Sequence, residues 1–256
     1  MSRALLEIHL RILLLDIESA PNTAHVWGLW KQNISLNQII DSGYVLCWAA
    51  KWLGEEDVMY ASTYQHGHQQ MLEKIHVMLD EADAVIHYNG TKFDIPTLNK
   101  EFLLYGLAPP SPVKEIDLLK TARAKFRFPS NKLDYIANAL GLGKKVKHIG
   151  HELWIRCMND DPKAWKMMEE YNVHDVVLLE KVYYQLLPWI KGHANYGLHQ
   201  EDHQVCPNCG GVHFNRRGYQ YTNSCKYQRY QCVECKTWFR GTKNVGPKAG
   251  EKYVGI

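Results

Sequence analysis

The sequence has no run of 18 apolar residues, and Glu7, His9 and Arg11 interrupt its N-terminal apolar stretch. A membrane-spanning helix needs about 20 apolar residues, so this absence argues against a membrane span or a signal peptide. A large net charge is also lacking. The 256 residues carry +3 at pH 7, and the hydrophobic fraction of 46% and charged fraction of 22% are ordinary for globular proteins. We therefore expect a soluble globular protein.

Cysteine is scarce outside the last quarter of the chain, where five of the seven cysteines lie. Their spacing suits a metal site better than a disulfide framework, which predicts a reducing, cytoplasmic location. Charge is also unevenly distributed. Residues 196–256 carry nine Lys and Arg against four Asp and Glu, whereas residues 1–195 carry 21 against 23. The basic C-terminal part indicates contact with a polyanion, and a solvated basic tail is the alternative.

The stretch Ile-Leu-Leu-Leu-Asp-Ile-Glu-Ser at residues 12–19 predicts a strand that is buried on both faces. Side chains alternate along a strand, so Asp16 and Glu18 should project from one face at its end, with Ile17 directed into the core. Adjacent carboxylates repel each other, and a hard divalent cation such as Mg²⁺ or Mn²⁺ would neutralise them. Two solvated acids at a strand end are the alternative.

The remaining pattern predicts an α/β fold. Strands are expected at residues 12–19, 44–52, 58–63, 84–88 and 114–117. Helices are expected at residues 69–79, from 94 onward, at 133–140 and over 162–187, the last as two helices ended by Pro188. This order indicates a mixed sheet with helices on its faces.

Two further acidic positions are candidates for the same site. Asp94, in Asn89-Gly-Thr-Lys-Phe-Asp94, follows a predicted buried strand, a common place for function in open α/β sheets. An ordinary helix N-cap is its alternative role. Tyr171 and Asp175 are four residues apart, which places them on one face of a predicted helix. A Tyr–Asp pair at the surface is the alternative interpretation.

Taken in order, D-x-E on the first strand, N-x-x-x-F-D after a later strand and Y-x-x-x-D on a late helix resemble the DEDD superfamily of 3′–5′ exonucleases. The segments AAKWLGE at 49–55 and NKLDYIANALGLGKK at 131–145 also resemble these enzymes, so the resemblance covers roughly residues 10–190. The histidine-type branch places its base where this chain has Glu170. Tyr171 fits the tyrosine-type branch, which includes the proofreading domains of family B DNA polymerases.

The resemblance implies a ribonuclease H-like fold and a metal-dependent 3′–5′ exonuclease that acts on single-stranded ends, with DNA the favoured substrate. It implies two Mg²⁺ or Mn²⁺ ions held by four carboxylates: one ion activates the attacking water and the other stabilises the leaving 3′ oxygen. Asp16 would bridge both ions. Glu18 and Asp175 would complete the site of the ion that bears the water, Asp94 would help to hold the other, and Tyr171 would orient the water.

Asn89, Phe93 and the aromatic loop after Ser19 are expected to hold the terminal base and sugar, and core packing is the alternative for Phe93. A DNA polymerase or another replication protein is the expected partner, in DNA replication or repair. Three other functions stay open: an exoribonuclease, an endonuclease that cuts structured DNA, and a non-catalytic adaptor that binds nucleic acid. All four acids and the tyrosine are present, which counts against the adaptor.

Two C-x-x-C motifs, separated by 22 residues, predict a structural Zn²⁺ bound by four thiolates. The four cysteines are Cys206, Cys209, Cys232 and Cys235. Cys225 is expected to be a spare thiol, and His213 is an alternative ligand. The segment resembles the zinc ribbons of transposases and other nucleic-acid enzymes.

Aromatic and basic side chains surround these motifs, which suits a surface where bases stack and cations meet phosphates. The residues expected to contact nucleic acid here are Arg216, Arg217, Arg229, Tyr230 and Trp238. Docking of a protein is the alternative. We predict an exonuclease domain over residues 1–190, a linker over 191–204, and a zinc ribbon with a basic tail over 205–256.

Overall fold

The computed structural model describes residues 10–199 and 204–247. The predicted domain and linker ranges therefore lie partly outside the described residues, at 1–9, 200–203 and 248–256. The chain divides into two compact units, one over Arg11–Tyr184 and one that contains the described residues from Gln185 onward. The predicted boundaries stay a prediction. Within the described ranges, none of the helices has the length and apolar character needed to cross a bilayer.

A five-stranded mixed sheet forms the centre of the first unit. Its strands are β1 (Ile12–Ser19), β4 (Val45–Trp52), β5 (Met59–Ser62), β6 (Ala84–His87) and β7 (Lys114–Asp117). Two short strands, β2 (Thr23–Ala24) and β3 (Ile39–Asp41), pair with each other. The order in the large sheet is β5-β4-β1-β6-β7, with β4 antiparallel to β1 and β6 parallel to it. This confirms the predicted mixed sheet.

The helices of the described chain are α1 (Thr63–His66), α2 (His68–Glu81), α3 (Asp94–Leu104), α4 (Leu118–Lys125), α5 (Leu133–Ala139), α6 (Glu152–Met158) and α7 (Pro162–Leu186). The prediction of two helices within 162–187 is wrong. A single helix of 25 residues forms there, because no Gly or Pro interrupts it after its first residue. Pro188 lies in the 3₁₀ turn Leu187–Trp189 that follows α7.

The alternation along β1 separates the core from the acidic positions. Leu13, Leu15 and Ile17 pack on the face that also buries side chains of α2 and α3. Asp16 and Glu18 must then point to the opposite face, where α6 and α7 pack against the sheet. The predicted direction of Ile17, which is 3% exposed, is confirmed.

The second unit contains a three-stranded antiparallel sheet. Its strands are β8 (Phe214–Tyr221), β9 (Lys226–Cys232) and β10 (Trp238–Asn244), in the order β10-β9-β8. Buried apolar side chains are few in these strands, and Cys206 and Cys232 are the buried cysteines of this unit. The small core fits a unit that a bound metal stabilises.

Gly90, after the end of β6, lies against the ring of the buried residue His87. An added Cβ at Gly90 would lie 2.3 Å from His87 Cγ. The two residues are also joined by a hydrogen bond in which the Gly90 amide donates to His87 Nδ1 at 3.0 Å. The left-handed backbone of this turn belongs to Asn89, with φ 71°. The absence of a side chain at Gly90 therefore lets the backbone pack closely against the His87 ring.

We predict that Gly90→Ala lowers the free energy of unfolding by about 1–3 kcal/mol, because the new methyl group overpacks a site next to a buried ring. Urea denaturation followed by circular dichroism measures this loss. The matched control is Gly28→Ala, whose new Cβ would lie 3.4 Å from the flexible end of Gln32. The control should change stability by less than about 0.5 kcal/mol. Equal losses in the two variants would contradict the packing argument.

Candidate active site

Asp16, Glu18 and Asp175 come together at the carboxyl end of β1. One carboxylate oxygen from each lies within 4.8 Å of the other two. The register between β1 and β4 shifts between Glu18 and Ser19, directly after the two acids. Such bulges redirect side chains at the edge of a site. Asp16 and Glu18 are partly buried and Asp175 is 1% exposed, so these are not ordinary solvated acids.

Asp94 lies beside this group and contacts β1 directly. Its Oδ1 accepts a hydrogen bond from the Ile17 amide at 3.1 Å, and the residue is 4% exposed. Phe93 occupies the N-cap position, and Asp94 is the first residue of α3. The alternative role of Asp94 as an N-cap is therefore wrong. Its carboxylate instead joins α3 to the strand segment between the two β1 acids.

Two neutral side chains hold the acids of β1. Asn172 Nδ2 donates to Asp16 Oδ2 at 2.7 Å. Trp154 Nε1 donates to Glu18 Oε2 at 3.2 Å. The sequence assigned neither residue a role. Asn172 directly follows Tyr171 in the motif, so its amide was a usable signal, whereas Trp154 lies on the unpredicted helix α6.

Lys145 joins the two α7 residues of the site. Its Nζ donates to Asp175 Oδ2 and, at 3.1 Å, to Tyr171 Oη. Tyr171 is 7% exposed, so the interpretation of a surface Tyr–Asp pair is wrong. Lys145 is the last residue of the segment 131–145 that carried part of the resemblance, but no individual role was predicted for it. It brings a positive charge into a group of buried acids.

Burial raises the pKa of each acid in this site. It raises the pKa of Glu18 to about 8 and that of Asp94 to about 7. Burial, followed by the Glu18 carboxylate, holds the pKa of Asp16 well above its usual range. The pKa of Asp175 is also raised by burial, although Lys145 opposes that shift. Full ionisation at neutral pH therefore needs a further cation.

The chemistry of these side chains fits a divalent metal. Among the described residues, Asp175 Oδ1 is a buried carboxylate oxygen without a hydrogen-bond partner. It belongs to the acid whose other oxygen contacts Lys145, in a group made only of hard oxygen donors. Mg²⁺ and Mn²⁺ prefer such donors. A cation at this position would satisfy the free oxygen and offset the repulsion between the carboxylates.

A cavity of about 540 Å³ opens beside Asp16, and three cationic side chains contribute to its wall. Its lining residues are Asp16, Tyr88, Asn89, Leu119, Arg123, Asn131, Lys132, Leu133, Asp134 and Lys145. The predicted contact residue Asn89 thus lines the cavity. Its backbone amide donates a hydrogen bond to Asp117 Oδ1 at 3.0 Å. The volume is in the range of small-molecule sites.

The aromatic side chains that were predicted to hold the terminal base are exposed. Core packing was the alternative for Phe93, and its exposed fraction of 44% shows that this is wrong. In the loop after Ser19, Trp27 is 99% exposed and Trp30 is 85% exposed. These rings are available for stacking, which the sequence predicted as their role.

The four predicted zinc ligands also come together. The four sulfurs lie within 4.8 Å of one another; the Cys206–Cys235 pair is 3.6 Å apart and the Cys209–Cys232 pair is 3.7 Å apart. Tetrahedral zinc at about 2.3 Å from each sulfur needs sulfur separations of about 3.8 Å, whereas a disulfide needs about 2.05 Å. The distances fit a tetrathiolate metal site. Cys225 is outside this cluster, and His213 Nδ1 lies 3.0 Å from Glu234 Oε1.

A family model described as the RNase_H superfamily matches residues 44–187, which is more than half of the chain. The chain belongs to the RNase H superfamily. The matched range contains Asp94, Tyr171 and Asp175, and β1 with its two acids precedes it. No curated protein sequence matches the chain.

Among solved structures, the chain is similar to the family B DNA polymerase from the hyperthermophilic archaeon Pyrobaculum calidifontis. The TM-score is 0.50 and the sequence identity is 17%, so the likeness is one of fold. The similarity covers 86% of this chain and 32% of the polymerase chain. This chain thus spans about one third of the polymerase's length. Superfamily membership and the acidic cluster together support a nuclease-type function.

We predict that, without divalent metal, the protein loses stability as the pH rises from 4.5 to about 8, the interval over which the pKa of Glu18 is shifted. In this window the folded state binds more protons than the unfolded state, so the free energy of unfolding falls with pH. Thermal melting across the window measures the fall, and added Mg²⁺ should raise the melting temperature most at its upper end.

The variant Glu18→Gln has no proton to lose at this position, so its melting temperature should fall less steeply as the pH rises. Glu56→Gln, at an exposed turn, is the matched control and should melt like the wild type at each pH. A decline that is equally steep in Glu18→Gln would show that the buried acids do not control the pH dependence.

Proposed function

We propose that this protein is a metal-dependent 3′–5′ exonuclease that acts on single-stranded DNA ends. The observation that carries the proposal is the meeting of Asp16, Glu18 and Asp175 at one point of an RNase H-like fold. Asp94 is bound to the strand between the first two acids, and Tyr171 shares Lys145 with the third. The order of these motifs along the chain supports the tyrosine-type exonuclease over other nucleases.

The chain's own residues have distinct parts in this reaction. Asp16, Glu18 and Asp175 would hold the divalent metal, with Asp94 beside them. When bound, the metal supplies Lewis acidity, which lowers the pKa of water and stabilises negative charge on the phosphate and leaving oxygen. The charge of four carboxylates balances two divalent ions, the number that two-metal nucleases bind.

Tyr171 acts on water through its hydroxyl and not as a base. Burial, and then Asp175, raise the pKa of Tyr171 above its ordinary value of about 10, so the phenol keeps its proton at neutral pH. A protonated hydroxyl orients a water molecule by hydrogen bonding. Lys145 holds that hydroxyl in place, since its ammonium donates to Tyr171 Oη. The ammonium also offsets charge on Asp175.

The substrate end is proposed to enter the cavity beside Asp16. Arg123 and Lys132 in its wall suit the phosphates of the strand, and Asn89 suits the terminal nucleotide. Phe93, at 44% exposure, offers a ring for stacking. A DNA polymerase or another replication protein is proposed as partner on the sequence resemblance.

The test uses single-stranded DNA labelled at its 5′ end, with Mg²⁺ or Mn²⁺. We predict a ladder that shortens from the 3′ end. Asp175→Asn should reduce the cleavage rate by at least about 10³-fold, the scale seen when a catalytic group is removed. Asp57→Asn is the matched control, because Asp57 is an exposed acid in the turn between β4 and β5. It should cleave like the wild type.

Each other outcome selects a different function. Discrete internal cuts would contradict the exonuclease and favour an endonuclease. Faster degradation of the same sequence as RNA would favour the exoribonuclease, because the protein would then sense the 2′-OH. Binding without cleavage of any substrate would leave the non-catalytic adaptor.

We further propose that the cysteine cluster binds one structural Zn²⁺. We predict one zinc per chain in the purified protein, measured by atomic emission. Cys232→Ser should lose the metal and the folded β8–β10 sheet, because this buried cysteine ends β9 and belongs to the cluster. Cys225→Ser removes a thiol outside the cluster and should keep one zinc. Loss of zinc from both variants, or from neither, would contradict the assignment of the four ligands.

A further inference from the structure

The sheet β8–β10 has an unusual composition. Its three strands contain no Asp or Glu. They contain six basic residues, namely Arg216, Arg217, Lys226, Arg229, Arg240 and Lys243, and seven aromatic residues, namely Phe214, Tyr219, Tyr221, Tyr227, Tyr230, Trp238 and Phe239. In the part of the chain that the structure describes, none of the six cations forms an ion pair with a carboxylate. The positive charge of this sheet is therefore open to an external anion.

The strand register divides these side chains between two faces. Tyr230 lies opposite Phe239, so both belong to one face, and Phe214 packs against both rings at 5.3 Å between centroids. These three rings line a cavity of about 460 Å³ together with Asn195 and Pro207. The three rings are partly buried on this face. They include Tyr230, which the sequence had grouped with the nucleic-acid contacts.

The opposite face carries two arginines that each lie over an aromatic ring, and we call it the arginine–aromatic face. Arg229 lies opposite Arg240, which places both on this face with Tyr227 and Trp238. The Arg229 guanidinium is 5.0 Å from the Trp238 ring centroid, and that of Arg240 is 3.7 Å from the Tyr227 ring centroid. Trp238 is 49% exposed. Each guanidinium thus lies over an aromatic ring.

This arrangement selects a ligand that is both anionic and aromatic. A guanidinium held over a ring loses little freedom when it binds a phosphate. Arg229 Nε is further fixed by donating to the Arg217 carbonyl at 2.9 Å, which leaves the terminal amino groups of Arg229 for a ligand. Guanidinium planes and aromatic rings also stack with bases, but only when the bases are unpaired. An acidic peptide would use the cations and leave the rings without partners. The combination therefore fits single-stranded nucleic acid better than a duplex or an acidic protein.

We propose that the arginine–aromatic face is a second binding surface for single-stranded nucleic acid, separate from the candidate active site. Arg229 and Arg240 contact phosphates, and Trp238 and Tyr227 support unpaired bases. The proposed function enters only in the choice of DNA as the ligand to test. The surface would hold a strand independently of cleavage at the carboxylates.

The experiment measures fluorescence anisotropy of a labelled oligo(dT) with full-length protein that carries Asp16→Asn, across a series of salt concentrations. Adding Arg229→Gln and Arg240→Gln together should weaken binding by at least about ten-fold and reduce the slope of log K against log salt by about 1.4, or about 0.7 for each lost phosphate contact. Trp238→Leu should weaken binding by about ten-fold, through lost stacking, without changing that slope.

The matched control removes the same charge from the other face, as Lys226→Gln with Lys243→Gln. Lys226 lies over the Tyr219 ring at 3.9 Å and so resembles the arginine pairs in its packing. Zinc content and melting temperature verify that every variant is folded. An equal loss in the control would overturn the proposal in favour of general electrostatic attraction. Tighter binding to a duplex of the same length, or no loss in any variant, would also overturn it, the latter pointing to a protein ligand.

This design distinguishes failure of the exonuclease proposal from failure of the binding-surface proposal. Binding is measured in protein that carries Asp16→Asn, so a wild-type protein that cleaves nothing would refute the exonuclease and leave the binding surface intact. A wild-type protein that produces the 3′ ladder, with arginine variants that bind oligo(dT) normally, would refute the surface alone.

Discussion

The cost of burying several carboxylates side by side is the constraint on which the first unit depends. Asp16, Glu18 and Asp175 approach within 4.8 Å of one another, where burial and repulsion both oppose ionisation. The surrounding structure offsets part of that cost. The Asn172 amide, the Trp154 indole and the Lys145 ammonium each donate to one of these acids. Natural sequences accept such local conflict mainly at functional sites.

The part of the site that follows from regular periods was predictable. Asp16 and Glu18 share a face because strand side chains alternate, and Tyr171 and Asp175 share one because residues four apart align on a helix. Lys145 and Trp154 lack such a signal. Lys145 lies in the irregular segment between α5 and α6, and Trp154 lies on a helix of seven residues. Their contacts with residues 26 to 136 positions away arise only from tertiary packing.

The same limit explains what composition left unresolved in the second unit. The basic and aromatic residues were visible as a set, yet their division between two faces depends on the pairing of β9 with its neighbours. Both partners shift register, β8 between Arg216 and Tyr219 and β10 between Arg240 and Asn244. On β8 three steps oppose two steps of β9, a one-residue shift that exchanges the two faces, so counting along β8 alone cannot assign Tyr219 to a face. On β10 four steps oppose two, which leaves the assignment of faces unchanged. Within β9, by contrast, simple alternation already places the neighbours Arg229 and Tyr230 on opposite faces.

The two candidate metal sites use donors of opposite character, and this affects how the protein is loaded. Carboxylate oxygens suit Mg²⁺ and Mn²⁺, whereas thiolates suit zinc. Zinc nevertheless binds most oxygen sites more tightly than Mg²⁺ does, so donor type alone does not keep it from the carboxylates. Four thiolates in tetrahedral spacing bind it more tightly still, and the first equivalent of zinc should go to the cysteines. Excess zinc would then compete with Mg²⁺ and Mn²⁺ at the carboxylates. A cysteine cluster that binds one zinc would thus keep zinc from the acidic site only up to one equivalent.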